Sequence, residues 1–214
     1  MSVQVQLRRD TYANVAANHG AAGEVFVDTT NQRLVIQDGA TLGGFPAPVT
    51  LFVGNGGSTN NSNTGSGAFV NHTPTFTIPA NFMVAARAFR VTAHMQMTTG
   101  STAPVLSQRI SLGAAVIGQC GGATLSLASQ TNVGFILQWI FQATAAPSGS
   151  TNVQCSLVAG GLGATNVNQL STTAQPVAVA TNAAQVLTIA TQWATARAGT
   201  NTIGLNQLIV EALN

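Results

Sequence analysis

The sequence predicts an all-β protein: a small N-terminal β module followed by a C-terminal antiparallel β-sandwich of jelly-roll-like form. Three observations predict it. Apolar residues alternate with polar ones in segment after segment, which is the period of a half-buried strand rather than of a helix. Gly, Ser, Asn and Thr punctuate those segments, as turns between strands do. One run, Gly54 to Gly67 (GNGGSTNNSNTGSG), holds no apolar residue and divides the chain. The expected organisation is residues 1–53 as the module, 54–67 as a linker or long loop, and 68–214 as the sandwich. A flexible linker of that length spans roughly 20 Å.

Taken in order, Val3, Val5 and Leu7 alternate with Gln4, Gln6 and Arg8, which predicts a half-buried strand. Asp10 or Thr11 caps a short helical stretch through Asn18, and Gly20 and Gly23 break it. Residues 25–27 and 33–37 form a hairpin around the turn Thr29-Thr30-Asn31-Gln32, and Asp38-Gly39 ends it with turn chemistry. Gly43-Gly44-Phe45-Pro46 closes the module.

Beyond the linker the clearest strand is 88–98, with Phe89, Val91, Ala93, Met95 and Met97 on one face and Arg90, Thr92, His94, Gln96 and Thr98 on the other. Further strands are predicted at 75–78, 105–112, 124–127, 133–141, 152–158, 176–180, 185–191 and 202–213. The 133–141 segment is apolar on both faces in places and is placed centrally. The apolar phase shifts between Leu205 and Leu208, which predicts a bulge near Asn206-Gln207. About eight to nine strands with such turns predict a sandwich.

Charge is scarce: 6% of residues are charged, where about 25% is usual. There is no lysine, and seven arginines face five acids for a net charge of +2. An amide- and hydroxyl-rich surface can be desolvated without burying unpaired ions, and interface cores are charge-depleted for that reason. Permanent assembly is the expectation. The scattered arginines form no dense basic patch, which argues against a nucleic-acid partner. The N-terminus lacks an apolar signal-type region and no apolar run reaches membrane-spanning length, so neither secretion nor membrane insertion is expected. Cys120 and Cys155 read as small buried hydrophobes, with a disulfide as the alternative.

Enzyme chemistry finds little to work with. A glycosidase needs two carboxylates flanking one bond, and the large segment has only Glu211. His19, His72 and His94 have no second ligand at metal-binding spacing. Gly160-Gly161-Leu162-Gly163 lacks the helix and third glycine of a dinucleotide loop and reads as a β-turn. Trp139 and Trp193 are core residues first and sugar-stacking platforms second. No catalytic residue, cofactor or metal is predicted.

The first segment carries a longer pattern: Gln6-Leu7-Arg8-Arg9-Asp10-Thr11, then Ala22-Gly23-Glu24-Val25-Phe26-Val27-Asp28, then Arg33 to Thr41 with Asp38-Gly39, then Gly43-Gly44-Phe45-Pro46. It resembles the small β module at the N-terminus of many phage tail-fibre and receptor-binding proteins, including the major tropism determinant family. The resemblance covers roughly the first fifth of the chain. It implies a virion protein of a tailed bacteriophage, assembled in the host cytoplasm and usually trimeric, with the module near the attachment end. The later part resembles the jelly-roll heads that follow such modules.

The chain is short and has no fibre shaft, which favours a non-enzymatic capsid decoration protein, head spike or short fibre. The alternative is a tail-fibre, receptor-binding protein recognising a host surface glycan or protein. Expected partners are further copies of the chain and capsid or tail proteins. The candidate attachment and oligomer contacts are Arg8, Arg9, Asp10, Glu24, Asp28, Arg33 and Asp38. Glu24 and Asp28 share one strand face, and Arg33 on the next strand is placed to pair with one of them, either as a surface pair or as a dock for a neighbour.

Overall fold

The computed structural model describes residues 8–30, 33–61, 68–85, 87–101, 105–124, 128–160, 174–193 and 201–213. It divides into two units, Met1–Val49 with Ala212–Asn214, and Thr50–Glu211.

In the first unit β1 (Arg8–Asp10), α1 (Tyr12–Ala17), β2 (Val25–Asp28), β3 (Arg33–Ile36) and β4 (Phe45–Pro46) follow one another. The sheet order is β1-β2-β3-β4, with β1 parallel to β2 and the other pairs antiparallel. Alternation turns Phe26 and Val35 to one face, where Val15 of α1 meets them in a small core. Thr11 is the helix N-cap, but its side chain makes no cap bond. Asp10 serves instead: its Oδ1 accepts from Thr11 N–H at 2.8 Å and Asn14 Nδ2 at 2.6 Å, which satisfies a donor the first turn leaves open. The expected hairpin is β2–β3; residues 31–32 of its turn, like residues 3–7 of the first predicted strand, lie outside the described residues. Gly44 has φ +59°, and a Cβ there would lie 2.6 Å from the Ile36 carbonyl oxygen, so both backbone conformation and space demand glycine.

The second unit holds β5 (Val49–Asn61), β6 (Val70–Asn71), β7 (Phe76–Ile78), β8 (Ala88–Thr98), β9 (Val105–Leu112), β10 (Ala115–Thr124), β11 (Val133–Ala143), β12 (Thr151–Gly160), β13 (Val177–Val179), β14 (Gln185–Trp193) and β15 (Thr202–Ala212). One sheet runs β13-β12-β11-β8-β15-β5; the other runs β10-β9-β14-β6, with β7 also on β14. β8 pairs with β15, β9 with β14, and β11 with β12. Counted from β8 to β15, the first strand pairs with the last, the second with the second-last and the fourth with the fifth, which is the nesting of a rolled-up ribbon, and in that sense the sandwich is jelly-roll-like.

Phe89, Val91, Ala93, Met95 and Met97 are all at most 1% exposed, the face their alternation predicts. Phe89 stacks on Phe141 at 5.1 Å between centroids. β11 lies between β12 and β8, the central position its apolar faces suggested. In β15 burial falls on Ile203 and Leu205, then on Leu208 and Val210, the predicted change of phase. The two sheets meet where β10 crosses β11 and β12: a Cβ on Gly118 would lie 2.7 Å from Trp139 Cζ3 and 3.0 Å from Cys155 Sγ.

Two stretches differ from expectation. The run read as a linker from Gly54 is strand as far as Asn61, because ladder hydrogen bonds need backbone and not apolar side chains. Glycine here permits close approach: a Cβ on Gly56 would lie 1.8 Å from the Leu205 carbonyl oxygen. The strand 115–124 was not anticipated. Its register shifts between Val116 and Gly118 and again between Cys120 and Ala123, which erases the period-2 signal. Of the strand expected at 124–127, Thr124 ends β10, and 125–127 lie outside the described residues.

Candidate functional site

The candidate residues of the module lie around one small sheet, and the structure uses most of their charge internally. Asp28 is fully buried. Its Oδ1 accepts from Thr30 N–H at 3.1 Å and its Oδ2 from Arg33 Nε at 3.1 Å. Arg33 keeps 19% of its side chain exposed, so this is an interior pair that ties β2 to β3. Asp38 stays exposed, but its carboxylate collects Ala40 N–H at 3.0 Å, Thr41 N–H at 2.7 Å and Thr41 Oγ1 at 2.7 Å. Those bonds hold its pKa down to about 2. Asp10 is likewise held below the usual carboxylate range, first by Asn14, then by Thr11 N–H, with Arg8 adding to it. Its backbone carbonyl also receives Thr29 N–H at 2.8 Å and Thr29 Oγ1 at 2.9 Å.

The remaining three are more open. Arg8 lies over the Phe26 ring at 4.8 Å and reaches Glu24 at 3.7 Å, an exposed contact worth under about 1 kcal/mol. Glu24 Oε2 accepts Ala21 N–H at 3.1 Å. Arg9 is exposed on β1.

A feature the charge pattern did not reveal lies on the opposite face. Val25 is the cross-strand partner of Ile36, and Val27 of Leu34. Leu34 and Ile36 are 39% and 46% exposed, and Val25 and Val27 are half-buried. Four aliphatic side chains therefore form one outward patch, with Arg9 beside Val27. The signal was present in Val25-Phe26-Val27 and Leu34-Val35-Ile36, where both alternating sets are apolar.

In the second unit Glu211 is engaged by a forked contact: Arg90 Nε donates to Oε2 at 2.7 Å and Nη2 to Oε1 at 3.1 Å. This pairing lowers the Glu211 pKa and raises that of Arg90. Arg87 is buried, donates to the Phe82 carbonyl oxygen at 2.8 Å and lies over that ring at 4.4 Å. His72 is fully buried with Nε2 2.8 Å from Thr191 Oγ1, and burial lowers its pKa to about 4. Cys120 and Cys155 are free and buried, and burial pushes their thiols up to about 11 and about 12. Trp139 and Trp193 are 0% and 3% exposed; both are core residues and neither is a sugar-stacking platform. Among the described residues no three metal-ligating side chains gather, and no helix is long and apolar enough to cross a membrane.

Comparison with known proteins places the module in a class first. Residues 5–41 match the major tropism determinant N-terminal domain. The tail fiber receptor-binding protein of Bordetella phage BPP-1 is 52% identical over 46 residues, 22% of this chain and 12% of that protein. The resemblance to phage tail-fibre proteins of this kind is thus shown for the module, and the chain matches only a small part of that relative's length. Among solved structures, infectious bursal disease virus Gt strain covers 78% of this chain and 33% of its own at 12% identity and a TM-score of 0.36. The major tropism determinant U1 variant covers 72% and 42% at 17% identity and a TM-score of 0.21. Scores this low carry no argument about either unit.

Proposed function

We propose that the chain is a non-enzymatic structural protein of a tailed-bacteriophage virion and acts as a tail-fibre or receptor-binding protein. The module seats it on the particle, and the sandwich takes part in adsorption to a host surface glycan or protein. The observation that carries this reading is the match of residues 5–41 to a domain found in a phage tail fiber receptor-binding protein. Nothing in that match favours the capsid, so the decoration or head-spike reading gives way to the tail.

The chain also associates with itself, as a trimer. The patch of Val25, Val27, Leu34 and Ile36 is the surface that association covers, because contiguous exposed apolar area on a charge-poor protein marks an interaction face. Asp10, Asp28 and Asp38 hold the scaffold that presents it, Arg9 sits beside it on Val27, and Arg8 and Glu24 pair on the other face.

Three experiments test this. Immunogold labelling of the particle with antibody against the chain marks the tail; label confined to the head restores the decoration reading. Purified chain added to host cells lowers subsequent phage adsorption; unchanged adsorption removes the receptor-binding role. Light scattering is expected to give a mass near three times 21.8 kDa, lowered to the monomer by I36E; a monomeric wild type removes the self-association.

A further inference from the structure

Charge is divided unevenly between the units. The first holds Arg8, Arg9 and Arg33 against four acids; the second holds Arg87, Arg90, Arg109 and Arg197 against Glu211 alone. With histidines neutral this is a net −1 and a net +3. The surplus is not spread evenly over the sandwich surface. Glu211 neutralises Arg90, Arg87 is interior, and Arg197 lies outside the described residues.

Arg109 is different. It sits mid-strand on β9, on the outer face of the five-stranded sheet, with Gln119 of β10 and Ala190 of β14 as its cross-strand neighbours. Its guanidinium lies over the Phe69 ring at 4.4 Å. Its Nε is buried without a hydrogen-bond partner, while the residue as a whole remains partly exposed. Among the described residues it meets no carboxylate. The residues around it are small and themselves buried: Ser107, Ser111 and Thr188 are 9%, 8% and 9% exposed, and Ala190 is 1%, so the exposure at this corner is that of Arg109, Gln119 and Phe69. An arginine held flat on an aromatic ring loses little freedom on binding and keeps its fork for an anion.

We propose that the Arg109–Phe69 corner of this sheet face binds the anionic substituents, carboxylate or phosphate, of a polysaccharide at the bacterial surface. The proposal rests on the adsorption reading and names its chemistry. The forked, charge-assisted contact to Arg109 supplies selectivity for charged over neutral sugar polymers, and the net +3 of the unit supplies attraction at a distance.

The test uses the full chain and three immobilised polymers: alginate (carboxylate), phosphorylated dextran, and unmodified dextran. The wild type is expected to bind at least one charged polymer and not dextran, with affinity falling as salt rises; the polymer bound tells carboxylate from phosphate. R109Q weakens that binding tenfold or more, and R90Q, which makes the same change in net charge on the other sheet of the unit, leaves it within twofold. The proposal is overturned by no binding to either charged polymer, by equal binding to dextran, or by equal losses in R90Q and R109Q. Should R109Q not fold, the ¹⁵N-labelled wild type decides. The bound polymer shifts the Arg109 Nε–H resonance if the site is right, and an unmoved resonance rejects it. Polymer binding lost while the chain still blocks adsorption removes this site alone; polymer binding kept while adsorption is unaffected removes the adsorption reading.

Discussion

Among the described residues the module's core is Val15, Phe26 and Val35, while the sandwich fills the space between two sheets with residues such as Phe89, Trp139, Phe141, Ile110 and Leu205, none more than 1% exposed. Their use of charge is the inverse of their use of apolar surface. The module directs Asp10, Asp28 and Asp38 at backbone N–H groups and at Asn14, Arg33 and Thr41. The sandwich has one acid, and among the described residues one ion pair. A core as small as the module's supplies little burial energy, so charge-assisted bonds across its turns carry a larger share of its order. A large core has no such need, and a surface nearly free of charge is left available for contacts.

The largest effect that follows is in the sandwich. F89A removes a fully buried ring stacked on Phe141 and is expected to cost about 3–5 kcal/mol, read by denaturant unfolding. Peptide-resolved hydrogen exchange should show the loss across the second unit with the module unchanged; equal loosening of both would mean they unfold as one. In the module, D28A removes the carboxylate that accepts from Arg33 Nε and Thr30 N–H, and should cost about 3 kcal/mol. Exchange then rises in β2 and β3 and not in β8. If D28A costs no more than an exposed pair, the view that charge organises the module fails.

How much of this the sequence disclosed varied with the same division. Strand 88–98 was legible because one face had to be apolar and the other did not, and nothing interrupted the period over its length. The module's turn at Asp38-Gly39 was legible because few side chains can close a loop on backbone N–H groups. Strand 115–124 was not, since two register shifts in a glycine-rich stretch leave no period to read. The run from Gly54 looked like linker because composition reports what a side chain buries, whereas a strand needs only backbone partners. The seven charged residues were placed near one another by pattern, but pattern did not say that three of the acids would be engaged by the module's own backbone N–H groups. Nor did it isolate Arg109, whose cross-strand neighbours come from β10, the strand whose period was hidden, and from β14, far along the chain.

Acid should separate the two units by pH window. His72 is fully buried and neutral, with its pKa lowered from 6.5 to about 4. The unfolded chain binds its proton more readily, so stability is full above pH 6.5, falls as the pH drops toward 4, and levels off below that. The loss amounts to about 3 kcal/mol at most. It belongs to the sandwich, because Thr191 on β14 is the partner of His72. H72N should flatten the unfolding free energy between pH 6.5 and 4. A profile identical to wild type would assign the acid sensitivity elsewhere.

The module's window lies lower. The Asp38 carboxylate titrates near 2 in the folded chain against 3.8 ordinarily, because Thr41 and Ala40 N–H groups bond its charged form. Its contribution is therefore complete above pH 3.8 and disappears as the pH falls toward 2. The group is exposed, so the effect is local and the smallest of the four. D38A should speed amide exchange at Ala40 and Thr41 at pH 7, with little change at Val25 or in any sandwich strand. Wild-type chain brought to pH 2 should show the same local change. If D38A instead loosened β2 and β3 as much as D28A does, the exposed turn would be as central to the module as its buried pair. The contrast between a charge-stapled module and an apolar sandwich would then have to extend to carboxylates at the surface.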